Sequence, residues 1–83
     1  MIDSAQCRAA RALLNWTQGE LSGKTSISAV SIRAFEKGGE MRDNNKKLLQ
    51  LTFEAQGIVF LDTGETTNGG PGVRLKATAS PPD

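Results

Sequence analysis

The chain has 83 residues, with 10 Lys and Arg against 9 Asp and Glu, a net charge of +1, no histidine and one cysteine. That length allows one domain with a small core, burying about 60% of the unfolded surface, so dimerisation is an expected support. One cysteine and no histidine exclude an internal disulfide framework and a Cys/His zinc site.

The first element expected is a helix from Asp3 or Ser4 to about Leu14, because both residues are good N-caps and AQCRAARALL is rich in helix formers. Ala9, Ala10, Leu13 and Leu14 fall on one apolar stripe. Cys7 reads as a small core hydrophobe; the alternative is an intermolecular redox switch, with only Arg8 and Arg11 nearby to activate it. Arg8 and Arg11 reach either phosphates or acids within the domain. Asn15 and Trp16 end the helix. Trp16 reads as a lid over the junction that follows, or as an indole N–H donor to phosphate.

Two short helices come next. The first spans about Gln18 to Lys24, with Thr17 as N-cap and Thr17–Glu20 as a capping box. The second spans about Ala29 to Lys37, with Ser28 as N-cap and Gly38 beyond its end. Leu21, Ile27, Ile32 and Phe35 are the apolar anchors. Ala29, Val30, Arg33 and Lys37 lie on the opposite face, where small groups and two cations suit a groove.

This stretch resembles the helix-turn-helix of the Xre/Cro family of phage-repressor-like DNA-binding proteins. The matching residues are Arg8 and Arg11, Trp16-Thr17-Gln18, Glu20-Leu21, Ile27-Ser28, Ile32-Arg33, Phe35-Glu36 and Gly38. The match covers roughly residues 5 to 61 and is specific as a set. One residue departs from the pattern: Ser26 stands in the turn where the family usually has Gly. Serine takes the left-handed backbone at a penalty of roughly 1 kcal/mol or more, so a differently shaped turn is expected.

The resemblance implies roles for several residues. An arginine of the first helix pairs with Glu36. Gln18 contacts the DNA backbone, helped by the helix dipole. The helix around residues 28–37 lies in the major groove, with Ser28, Ala29, Val30 and Arg33 at the reading positions. Arg33 is the strongest reader, since a guanidinium bonds guanine O6 and N7 together. Ala29 and Val30 meet thymine methyls. Thr17, Gln18, Ser31, Lys37 and Arg42 are the backbone contacts. With so few polar readers, DNA shape contributes as well. The cluster Arg33, Lys37, Arg42, Lys46 and Lys47 reads either as a local phosphate-binding face or as a solvated helix surface.

After a loop over residues 38–42, Asp43 or Asn44 caps a fourth helix that runs to about Gln56 and closes at Gly57. Leu48, Leu49, Leu51, Thr52, Phe53 and Ala55 form its apolar, core-facing side. Ile58–Leu61 and Val73–Lys76 then read as short strands. Residues 62–72 (DTGETTNGGPG) form a mobile loop, and no helix start follows its glycines, so they do not match a phosphate-binding loop. Strand edges template pairing, so Ile58, Val59, Phe60, Leu61, Val73 and Leu75 are expected in a dimer interface. Residues 77–83 form a disordered tail.

The expected fold is mainly α: a four-helix, lambda-repressor-like helix-turn-helix domain (residues 1–57) with a C-terminal β extension for dimerisation (residues 58–76). The expected function is a sequence-specific transcriptional regulator. A small Cro-like repressor or switch protein of bacterial or phage type would bind a two-fold operator in double-stranded DNA as a homodimer. The alternative is an antitoxin or antiactivator that holds a regulatory protein partner on the same fold. No catalytic constellation or cofactor motif is recognisable, so an enzyme is not expected. Without a signal-peptide pattern or membrane-length apolar run, the expected location is the cytoplasm, away from membranes.

Overall fold

A computed structural model describes residues 1–61 and 72–75. Its elements are α1 (Ser4–Leu14), α2 (Gln18–Thr25), α3 (Ala29–Glu36), α4 (Asp43–Glu54), β1 (Ile58–Leu61) and β2 (Gly72–Leu75). The fold is mainly helical, with one two-stranded antiparallel hairpin.

Side-chain caps set three of the four helix starts. At α1 the Gln6 backbone N–H donates to Asp3 Oδ1 at 2.8 Å, and the Asp3 N–H donates to Gln6 Oε1 at 3.0 Å. At α2 the Glu20 N–H donates to Thr17 Oγ1 at 2.9 Å, and the Thr17 N–H donates to Glu20 Oε1 at 2.8 Å. At α3 the Ser31 N–H donates to Ser28 Oγ at 3.1 Å. Each bond satisfies a donor that the helix itself leaves orphaned.

The fourth start corrects the expectation. Arg42 holds the extended backbone of the cap position and makes no side-chain cap bond. Asp43 is already helical, with its carboxylate at the positive end of the helix dipole. The helix also stops at Glu54, short of Gln56, and Gly57 makes the turn at φ 90°.

The turn between α2 and α3 corrects another expectation. Ser26 adopts φ 64° and ψ 12°, so the turn keeps its left-handed shape without glycine. The local strain is offset by the anchors on either side, Leu21 (0% exposed) and Ile27 (6%). Replacing Ser26 with Gly relieves the Cβ clash, and only part of that gain is lost to the freer unfolded chain. We expect Ser26→Gly to raise stability by about 0.5–1 kcal/mol in urea denaturation. An unchanged or lower midpoint would mean that the serine is unstrained.

Leu21, Ile32, Leu49 and Phe53 are fully buried at the centre of the core. Trp16 stacks on Phe53 with centroids 5.8 Å apart, and Phe60 meets Phe53 edge-on at 6.1 Å. Two stripes are placed differently from expectation. On α1 the buried residues are Gln6, Cys7 and Ala10, while Leu13 is exposed. On α4 only Leu49 and Phe53 are buried, while Leu48, Leu51 and Ala55 are exposed. A helix of this length covers one narrow face: α4 contacts α2 and β1, and Phe53 meets Phe60 of β1.

The hairpin pairs within the chain, with Ile58 opposite Leu75, Val59 opposite Arg74, Phe60 opposite Val73 and Leu61 opposite Gly72. Ile58 is 2% exposed in the chain's own core, and Phe60 and Val73 pack against that core. Ile58 is therefore covered by the chain's own core. Val59 and Leu61 are half-buried and Leu75 is exposed. Gln6, although polar, is buried because both ends of its amide are used. Its Oε1 belongs to the α1 cap, and its Nε2 donates to the Leu61 and Gly72 carbonyls at 3.1 Å each. One side chain thus joins α1 to both strands. The second strand covers 72–75 where 73–76 was expected. Lys76, the loop over residues 62–71 and the tail 77–83 lie outside the described residues. No helix among the described residues is long and apolar enough to cross a membrane.

Candidate nucleic-acid interface

The outward face of α3 follows from what its inward face must do. Ile32, Phe35 and Glu36 are buried, so positions rotated away from them face solvent. Val30 is 70% exposed, and Ser31, Arg33 and Lys37 are exposed. Ala29 is half-buried. Thr17, at the start of α2, and Arg42, before α4, are exposed. Arg33 and Lys37 lie one turn apart, so two cations share an edge of this face.

Two expected contact residues are committed elsewhere. Ser28 is exposed, but its oxygen accepts the Ser31 N–H and its hydroxyl donates to Ser31 Oγ at 2.9 Å. It works as a cap, and Ser31 is the hydroxyl left to donate outward. Gln18 turns inward: its Nε2 donates to Glu36 Oε1 at 3.0 Å. Any phosphate bond at the start of α2 therefore falls first to its backbone N–H groups and to the Thr17 hydroxyl.

Glu36 is the hub that fixes this face. The residue is 4% exposed, and its carboxylate gathers donors from two other helices. Arg11 donates through Nε to Oε2 and through Nη2 to Oε1, both at 2.8 Å. Cys7 Sγ donates to Oε2 at 3.1 Å. Arg8 Nη1 donates to the Glu36 backbone carbonyl. Arg11 Nη1 also donates to the Trp16 carbonyl at 2.9 Å. One arginine was expected to pair internally, and both are used. α1 thus clamps the C-terminal end of α3 by a two-point Arg–carboxylate fork.

The charges follow from these contacts. Burial alone pushes the Glu36 carboxyl up, but hydrogen bonds from Arg11, Gln18 and Cys7 outweigh it and hold the group below its ordinary value. Its hydrogen bond to Glu36 raises the Arg11 guanidinium further. Burial, reinforced by the bond to Glu36, pushes the Cys7 thiol well up. Cys7 therefore sits in the core as a neutral donor, lacking the thiolate character a redox switch needs.

Beside the α3 face lies an open hollow of about 350 Å³. Val30, Ser31 and Ala34 line one side, and Met41, Arg42 and Asn45 line the other, with Glu40 at its edge. Trp16 is held between Phe53 and the Lys24 ammonium, which lies 4.8 Å from the ring centroid. No cluster of three or more His, Cys, Asp or Glu among the described residues is arranged to hold a metal. The face can offer cations and hydroxyls to phosphates, and Val30 and Arg33 to base edges. The inward-turned Gln18, the Cys7 thiol bond and the Gln6 clamp had no local signal in the sequence. Compared with protein-family models and with curated proteins, the chain matches none of them.

Proposed function

We propose that the chain is a sequence-specific DNA-binding transcriptional regulator of the Xre/Cro helix-turn-helix type. In this reading α2 and α3 are the helix-turn-helix and α3 is the recognition helix. Arg33 and Val30 read bases, with Ala29 at the margin. Thr17, Ser31, Lys37 and Arg42 hold phosphates. The protein works in the cytoplasm as a homodimer on a two-fold operator, with half-sites roughly 34 Å apart. The observation that carries the reading is the division of labour on α3. Its inner face is locked through Glu36 to α1 and α2, while the outer face presents Val30, Ser31, Arg33 and Lys37. A rigid helix with exposed, mixed cationic and apolar side chains is what groove reading requires.

The test is a fluorescence-anisotropy titration against DNA upstream of the protein's own gene, beside scrambled DNA, at two salt concentrations. Arg33→Ala should weaken specific binding by about 1–3 kcal/mol and relax discrimination at one position per half-site. Lys37→Ala should instead weaken binding to both DNAs and lower the salt slope by about one. If Arg33→Ala binds the selected site as the wild type does, α3 is not the reading helix.

A further inference from the structure

α4 carries a second apolar stripe that the other described residues leave exposed. Leu48 and Leu51 are 39% and 50% exposed, and Ala55 is exposed. These positions lie three and four residues apart, so they share one helix face. Leu49 and Phe53 point into the core, and this stripe therefore points away from it. Lys47 and Glu54 flank the stripe on one side, two turns apart, and both are exposed. Among the described residues neither forms an ion pair; the two pairs present are Arg11–Glu36 and Lys46–Asp43.

We propose that α4 is the face through which two copies of this chain pair, antiparallel about a two-fold axis crossing the helices near Leu51. The inference deepens the homodimer of the proposed function and rests on that reading for its biological sense. It replaces the hairpin as the contact, because Ile58, Phe60 and Val73 are spent on the chain's own core.

The choice of a second copy follows from the charge pattern. A two-fold axis perpendicular to a helix reverses direction along it but keeps the same flank. Lys47 of one protomer therefore comes opposite Glu54 of its partner, and the contact is made twice. Leu48 and Ala55 exchange places across the axis, and Leu51 meets its own copy. A parallel arrangement, whose two-fold axis runs along the helices, carries the Lys47 and Glu54 flank to opposite sides of the contact, so no lysine meets a glutamate. Only the antiparallel pairing matches both charge and apolar shape, and it matches this face to itself.

Sedimentation velocity on the full chain, without DNA, tests the proposal. Three apolar residues per copy make a small patch, so the titration should run from micromolar towards millimolar protein. The wild type should dimerise in that range. Leu51→Lys should remain monomeric with an unchanged far-UV CD spectrum, since Leu51 is half exposed and lies outside the core cluster. Lys47→Glu and Glu54→Lys should each weaken dimerisation by about tenfold. Mixing those two variants should restore the dimer as a heterodimer, because each glutamate then faces a lysine. A monomeric wild type throughout, a dimer indifferent to Leu51→Lys, or no rescue on mixing would overturn the proposal. Loss of the dimer in Leu61→Lys but not in Leu51→Lys would assign the contact to the hairpin. None of these outcomes involves DNA, so the reading of α3 stands or falls separately.

Discussion

Arg11→Ala should lower the stability of the chain by about 3–5 kcal/mol, a large share of what a small domain has. The variant strands a buried charge. The Glu36 side chain is 3% exposed, and Arg11 supplies two of its donors. Without the guanidinium, the carboxylate keeps its desolvation and loses its main compensation. The Trp16 carbonyl loses a donor as well. Removing both partners should do less harm: Arg11→Met with Glu36→Gln leaves no buried charge, and the one amide oxygen still accepts from Gln18 or from Cys7, which donate to different carboxylate oxygens in the wild type.

The same hub makes the loss depend on pH. In the wild type the Glu36 carboxyl is held below its unfolded value, so the unfolded chain binds more protons between the two values. Its contribution is complete above the unfolded value of about 4.5 and is lost as pH falls through the folded one. Without Arg11 the folded value moves up, because burial then meets weaker opposition. The deficit of Arg11→Ala should therefore narrow as pH falls through that window. Urea denaturation at pH 7 and near pH 4 measures both effects. A deficit under 1 kcal/mol at pH 7, or one that widens with acid, would mean that Glu36 is hydrated and not a hub.

What the sequence made legible was whatever is decided within one helical turn. Asp3, Thr17 and Ser28 cap the helices they were expected to cap, because a cap needs only a short polar side chain and a nearby N–H. Gly38 and Gly57 take positive φ just past their helices for the same local reason. The misplacements are where distant parts of the chain decide. Periodicity put Leu13 and Leu48 on apolar stripes, but the position of the hairpin and α2 determines which edge of a stripe is covered. Ser26 keeps a glycine's backbone because its flanking anchors hold the turn. Most of the polar network was illegible in the same way. Gln6 reaches strands more than fifty residues away, and Cys7 meets an acid 29 positions on. On the candidate face, exposure of Arg33, Lys37 and Arg42 could be read from spacing. The diversion of Ser28 to its cap and of Gln18 to Glu36 could not, since each bond depends on where a partner side chain lands.

Phe53→Ala should cost about 3–5 kcal/mol and leave the chain largely unfolded at 37 °C. Phe53 is fully buried, and its ring meets both Trp16 and Phe60. Trp16 brings the α1–α2 junction to it, and Phe60 brings the hairpin. Truncation therefore opens a cavity that three segments border, and none can fill it without leaving its own contacts. The chain is short, so little other apolar area remains to compensate. Phe53→Leu keeps most of the volume and should lose only about 1–1.5 kcal/mol. Trp16 is the only tryptophan, so its fluorescence reports this cluster directly, while far-UV CD reports the helices. In Phe53→Leu the two signals should change together with urea, as one cooperative unit requires. If fluorescence changes at lower urea than CD, Trp16 leaves the cluster before the helices melt. Phe53 would then be a peripheral packing residue, and the cohesion of the domain would rest on Glu36 and the α2–α3 anchors alone.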